Sequence, residues 1–214
     1  MTNVEHAFGM ERPDERKERE MNVEAMSAPR ASVLVTYASK HGATGEVAER
    51  IADRLRTAGL EVVVRPVAST GDLSSYAAFI VGSAVYYESW MKDAITFVQR
   101  NRTILNDHPV WLFSSGPLGA SPTDDEGRDL RDVAEPKQLA ELRDMIAPRD
   151  HRVFFGALDP GTLGFSERAL RKLPAGRELL PEGDFRDWQE IEGWAARIAD
   201  QLVASRHAAR QPAS

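Results

Sequence analysis

Ser32-Val33-Leu34-Val35-Thr36-Tyr37, running into Ala38-Ser39-Lys40-His41-Gly42-Ala43-Thr44, is the stretch that decides the fold. Its first six residues form a short β-branched apolar run, the pattern of a strand buried on both faces. From residue 43 the period changes. Val47, Ala48, Ile51 and Leu55 recur at helical spacing, and Gly59 supplies a left-handed stop for a helix over residues 43–58. A buried strand that turns directly into an amphipathic helix is the first unit of a parallel α/β sheet.

The same alternation continues outward. Residues 60–66, 77–82, 110–113 and 152–157 read as four further strands. Between them, a helix beginning at Ser89 carries Ala94, Phe97 and Val98 on one face, and a helix over residues 135–146 carries Leu139, Leu142 and Ile146. The last helix has the clearest stripe, Trp188, Ile191, Ala195, Ile198 and Leu202, with Asp184 as its expected N-cap. Alternating strands and helices predict a parallel sheet covered on both faces, with right-handed crossovers. Ligands of such sheets bind at the carboxyl ends of the strands.

Composition narrows the chemistry. The chain has 214 residues, 42% apolar and 28% charged, with a net charge of -6. That suits one α/β domain and argues against nucleic-acid binding, which needs a basic surface. With no cysteine, disulfides, thiolate iron–sulfur ligation and a thiol nucleophile are excluded. The five histidines form no His-x-x-x-His pair, so a zinc site is not expected. No apolar run approaches the roughly 20 residues that span a bilayer, and a cytoplasmic protein is expected. Residues 1–30 are dense in Glu and Arg and read as a disordered tail, with Met21 or Met26 as alternative starts. Residues 31–204 read as the domain and 205–214 as a flexible tail.

Three loops fall at the functional edge. In the first, Ser39 and Thr44 offer hydroxyls, Lys40 offers charge, and Gly42 lets the chain turn sharply before a helix N-terminus. Its composition fits an anion site and a helix cap equally; its place after the first strand favours the anion. The second loop, Ser83-Ala84-Val85-Tyr86-Tyr87-Glu88-Ser89-Trp90, offers small residues and then aromatic faces for a flat ring. Trp90 reads as a packing residue, Tyr86 and Tyr87 as ligand neighbours. The third, Ser114-Ser115-Gly116-Pro117-Leu118-Gly119, fits a ligand edge and an ordinary turn alike.

Residues 36–44 resemble the flavodoxin phosphate loop: Ser39, Gly42 and Thr44 match its motif, whereas His41 and Ala43 stand where flavodoxins usually carry Thr and often Asn. Val81-Gly82-Ser83-Ala84-Val85-Tyr86-Tyr87, Phe155-Gly156-Ala157-Leu158 and Asp187-Trp188-Gln189 extend the likeness to the flavodoxin-domain branch that contains menaquinone-dependent protoporphyrinogen IX dehydrogenase. The resemblance implies a three-layer flavodoxin-like sandwich whose five-stranded parallel sheet has the order 2-1-3-4-5. It implies FMN as cofactor, with its phosphate on Ser39, Lys40, His41, Gly42, Ala43 and Thr44. The isoalloxazine would lie between Ser83, Ala84, Val85, Tyr86 and Tyr87 on one side and Ser114, Ser115, Gly116 and Gly119 on the other. At His41 and Ala43 it implies backbone donors in place of side-chain bonds.

The expected activity is a flavin-dependent oxidoreductase that passes electrons or hydride to a quinone-like or protein acceptor. An electron carrier and a deazaflavin-binding relative are the alternatives. The porphyrinogen branch carries a basic insertion after strand four where this chain has the acidic Ser121-Pro122-Thr123-Asp124-Asp125-Glu126-Gly127-Arg128-Asp129, and Tyr86 replaces its usual Arg. The acidic segment is expected to rim the flavin and to disfavour added negative charge there.

Overall fold

The computed structural model describes residues 32–119, 121–124 and 126–210. The expectation for residues 1–30, and the alternative start sites, lie outside that range. Six strands form the main sheet: β1 (Ser32–Ala38), β2 (Val62–Pro66), β3 (Tyr76–Tyr86), the two-residue β4 (Ser89–Trp90), β5 (Val110–Ser115) and β6 (Asp150–Phe154). Five of them run parallel in the order β2-β1-β3-β5-β6, and β4 pairs antiparallel with β3. With β4 set aside, this is the expected 2-1-3-4-5 order.

Strand alternation sorts the side chains into two cores. Val33, Val35, Ala78, Ile80, Trp111, Phe113 and Phe154 face one side, where α1 (Ala43–Thr57) and α8 (Trp188–Arg210) cover them. Leu34, Phe79, Val81, Val110 and Leu112 face the other, under α2 (Lys92–Arg100), α3 (Arg102–Asn106) and α5 (Leu139–Ile146). Helix, sheet and helix make three layers. At Gly82 on β3 the ring of Phe113 fills the space of a side chain, since a Cβ there would lie 2.0 Å from it. Packing of that closeness admits only glycine.

Several boundaries depart from the sequence reading, each for a local reason. Strand β3 continues to Tyr86, so Ser83, Ala84, Val85 and Tyr86 belong to a strand and not a loop. Tyr87 and Glu88 then reverse the chain with positive φ (50° and 58°), and Ser89 enters β4 instead of opening a helix. The expected helix over 135–146 shortens to Leu139–Ile146: the Lys137 N–H donates to the Glu88 carbonyl of the hairpin (2.9 Å) and the Leu139 N–H to the Pro136 carbonyl (2.9 Å), so a turn precedes the helix. The fifth strand stops at Phe154; Ala157–Leu158 becomes β7 and pairs with β8 (Gly183–Asp184) in a separate hairpin. Asp187, not Asp184, caps the last helix, accepting from the N–H groups of Gln189 (2.9 Å) and Glu190 (3.0 Å). That helix continues to Arg210, past residue 204.

Between β7 and β8 the chain builds a strap over the functional edge: a short 3-10 turn (Pro160–Thr162), α6 (Phe165–Leu170) and α7 (Pro174–Leu179). A four-residue helix, α4 (Leu130–Val133), follows the acidic segment. No helix among the described residues is long and apolar enough to cross a membrane.

Candidate functional site

Sheet register brings the three loops together. Ala38 lies opposite Ser83, Ala84 opposite Ser115, and Ser115 opposite Phe154, so β1, β5 and β6 end on one line while β3 runs past it to Tyr86. Above that line lies a cleft of about 680 Å³, within the range of small-molecule and cofactor sites.

The β1–α1 loop forms its polar wall. Gly42 is the N-cap of α1 at φ 90°, a left-handed conformation that costs a side-chain-bearing residue free energy. This turn lets the Gly42 N–H donate to Ser39 Oγ at 3.0 Å. The N–H groups of Ala43 and Thr44 open the helix and have no acceptor in a preceding turn. The Thr44 side chain lines the cleft although the residue is only 1% exposed. Two hydroxyls, two helix-end N–H groups and the positive end of a helix dipole make a donor set suited to a phosphate monoester.

Glu167 on the strap completes this wall, and sequence reasoning missed it. Its Oε1 accepts from Lys40 Nζ and lies 3.3 Å from His41 Nε2, while its Oε2 caps α6 by accepting from the Gly164 N–H at 2.9 Å. His41 Nδ1 meets the Thr162 carbonyl at 3.1 Å. Both ring nitrogens therefore face oxygen atoms of the strap. The Lys40 hydrogen bond, with smaller help from the Gly164 N–H and the His41 and Lys40 charges, pulls the Glu167 carboxyl down to about 2. Burial, and then the charge of Glu167, push the Tyr86 phenol up to about 12, so Tyr86 stays neutral and able to donate. Its ring meets His41 edge-on at 6.3 Å.

Opposite stands the β3–β4 hairpin. Both of its central residues, Tyr87 and Glu88, hold the left-handed conformation that such turns usually give to Asn and Gly. Tyr87 is 89% exposed at the cleft mouth. A bulky residue kept in that conformation and left without burial is the kind of local strain that gathers at binding sites.

Of the fifteen expected site residues, Ser39, Lys40, His41, Ala43, Thr44, Ala84, Val85, Tyr86, Tyr87, Ser115 and Gly116 line the cleft. Gly42 shapes the loop from behind. Ser83, Ser114 and Gly119 do not line the cleft. Ser83 Oγ donates to the Ala84 carbonyl (2.8 Å) and accepts from the Met91 N–H (3.0 Å). Ser114 Oγ accepts from Trp90 Nε1 (2.8 Å) and pairs with His151 Nε2 (2.9 Å). Burial pushes His151 down to about 4, so a neutral ring takes the Ser114 proton. Trp90 is a packing residue, 3% exposed.

Strap and hairpin residues supply the rest of the lining: Leu158, Leu163, Ser166, Leu170 and Leu180 among them, joined by Met91, Leu118, Gly156 and Ala157. The only trace of them in the sequence is the recurrence of leucine over residues 158–180. That signal is too irregular to separate a cleft wall from a buried helix face. The acidic segment also needs correcting: none of its described residues lines the cleft. Asp124 turns inward on its own loop, accepting from the N–H groups of Glu126 (3.0 Å) and Arg128 (2.9 Å) and from Arg128 Nε (2.8 Å).

Comparison with known proteins agrees with this architecture. The profile of the Flavodoxin domain family matches residues 34–175. The Flv1 flavodiiron core of Synechocystis is 14% identical, with a TM-score of 0.54 over 90% of this chain and 41% of that one. Rubredoxin oxygen:oxidoreductase of Desulfovibrio gigas is 17% identical, with a TM-score of 0.51 over 89% and 41%. A flavodoxin of Streptococcus pneumoniae is 19% identical, with a TM-score of 0.50 over 82% and 99%. This chain thus spans about two fifths of the two larger proteins and nearly all of the flavodoxin. At such identities the structural likeness shows the fold alone. No curated protein matches the chain. With the profile covering most of the described domain, and the sheet order and loop positions in agreement, the chain belongs to the flavodoxin domain family.

Proposed function

We propose that the cleft binds FMN and that the protein is a flavin-dependent oxidoreductase handing electrons to a small, quinone-like acceptor. The observation that carries this reading is the meeting of a Gly42-shaped helix N-terminus with an aromatic hairpin across one cleft. The donor set of Ser39, Thr44 and the N–H groups of Ala43 and Thr44 fits a phosphate ester. Tyr86, Tyr87, Val85 and Gly116 offer the flat, mixed surface that a tricyclic ring needs. When bound, the flavin supplies the electron chemistry, and the protein supplies position and field.

The chain's own residues have separable tasks in this reading. The helix end and Thr44 hold the phosphate. The hairpin orients the ring. The leucines of the strap exclude water from the apolar side, which strengthens every electrostatic contact inside. The neutral Tyr86 hydroxyl, on the wall beside His41 and Glu167, serves as a donor to the ring edge or to an acceptor.

A protoporphyrinogen substrate, as in the branch the sequence resembles, draws no support from the family match. The strap's leucines favour a small apolar acceptor, and the net charge of -6 favours the electron-carrier alternative, because an acidic surface steers towards basic partner proteins.

The deciding experiment is titration of the purified protein with FMN, followed by identification of any co-purified chromophore by mass. A yellow protein that releases FMN, or one that binds added FMN tightly, is expected. A colourless protein that ignores FMN overturns the reading, and a deazaflavin mass redirects it. Multiple turnovers with a soluble quinone separate the oxidoreductase from the carrier.

A further inference from the structure

Arg186 sits outside the cleft, between β8 and α8, with its side chain only 6% exposed. Its guanidinium reaches three partners at once. Nε and Nη2 hold the Asp184 carboxylate at 2.8 and 2.7 Å, Nη2 holds Glu46 Oε2 at 2.9 Å, and Nη1 donates to the Ala43 carbonyl at 3.2 Å. The cation also lies 4.3 Å from the centre of the Trp188 ring. Arg186 does not itself line the cleft, but Ala43, whose carbonyl it holds, does.

The identity of those partners gives the residue a purpose. Ala43 and Glu46 belong to the first turn of α1, which also carries Thr44 and the helix-end N–H groups. Asp184 pairs with Ala157, which also lines the cleft. One planar, buried cation thus ties the anion-binding turn to the β7–β8 hairpin. It also neutralises Glu46, the one acidic residue of that turn, whose carboxylate would otherwise repel an anion at the helix end. Lysine cannot reproduce this, because it offers a point charge in place of a fork.

We propose that Arg186 is a positioning residue for phosphate recognition: it sets the first turn of α1 and screens Glu46, so that a phosphate monoester is bound and its dephosphorylated analogue is discriminated against. The inference rests on the FMN reading and adds a residue that never contacts the ligand. Removing Arg186 leaves Glu46 and Asp184 as carboxylates with 65% and 47% of their side chains exposed, so no unpaired charge becomes buried, and the variant is expected to fold.

The test compares dissociation constants for FMN and for riboflavin, which lacks the phosphate, in the full chain, Arg186→Met, Arg186→Lys and the double variant Arg186→Met/Glu46→Gln. The full chain prefers FMN. Arg186→Met weakens FMN by about tenfold, the scale of one phosphate hydrogen bond lost from the displaced first turn, and leaves riboflavin unchanged. Arg186→Lys recovers part of that loss by charge alone, and the double variant recovers part by removing the repulsion. In the absence of any flavin, amide exchange over residues 45–48 is faster in Arg186→Met. Unchanged FMN affinity in Arg186→Met, or an equal loss of both ligands, overturns the proposal while leaving the FMN reading intact. A full chain that binds neither ligand overturns the FMN reading, and this proposal with it.

Discussion

The β1–α1 wall of the cleft and the strap that completes it are built by opposite means. The β1–α1 wall is continuous with the core: Val47, Ala48, Ile51 and Leu55 of its helix are fully buried against the sheet. The strap wall, residues 159–182, leaves Phe165 and Leu173 exposed at 91% and 58%. It is held to the loop by polar contacts at Glu167 and Thr162, and to the domain by Leu163. A wall backed by packed apolar surface has the stability of the whole domain; one fastened by partly exposed polar contacts can open on its own. On the proposed FMN reading, the first wall recognises the fixed phosphate, and the strap admits and encloses ligands.

The largest expected effect breaks the first wall from behind. Ile51→Ala deletes a fully buried side chain under α1 and should cost about 2–5 kcal/mol of global stability, read as a lower urea midpoint at unchanged slope. A cost of a few tenths would mean that α1 is not anchored as described. Next comes the front of that wall. Thr44→Ala should weaken FMN by roughly 1–3 kcal/mol with little change in stability. Equal affinity in a calorimetric titration would assign the phosphate to backbone donors alone.

The strap should respond locally and more weakly. Glu167→Gln removes the charged tie to Lys40 and His41 and should cost about 1 kcal/mol or less of global stability, since Lys40 is half exposed. Proteolysis or amide exchange over residues 159–173 should nevertheless increase. Acid should act in the same direction. A carboxyl held at about 2 against an ordinary 4.5 contributes its stabilisation in full above pH 4.5, and loses it as pH falls towards 2. Strap exchange that rises over this window in the full chain, and does not in Glu167→Gln, confirms the assignment. Identical profiles would remove Glu167 as the tie.

The smallest expected effect is at Tyr87. Replacing it with Gly relieves a left-handed backbone and should change stability by less than about 1 kcal/mol. The absorption of bound flavin should shift while phosphate affinity holds. An unshifted spectrum would place the ring away from the hairpin.

Legibility in the sequence followed range of interaction. The β1–α1 wall was readable because strand, glycine turn and helix are contiguous, and each obeys a local rule: β-branched run, left-handed Gly42, apolar stripe. The second loop was readable in content and not in shape, because the extension of β3 to Tyr86 and the turn at Tyr87-Glu88 depend on pairing with Ser89 and Trp90, which no local propensity favours. Ser83 and Ser114 looked like ligand hydroxyls because composition cannot show that Met91, Trp90 and His151 already engage them. The acidic segment looked like a rim because charge is visible in a sequence, whereas the turn that folds Asp124 onto Arg128 is not.

The sequence by itself determined the layered α/β fold, the parallel sense of its strands and the loop that opens α1, since hydrophobic period and turn chemistry act over a few residues; the strand order was implied only by the family resemblance. Only the tertiary structure decided how that loop is completed. Glu167 reaches Lys40 across 127 positions of chain and Arg186 reaches Ala43 across 143. Contacts at such separations follow from how the packed layers bring the β7–β8 hairpin and its strap back over β1, a placement set by the core as a whole and carried by no short stretch of residues.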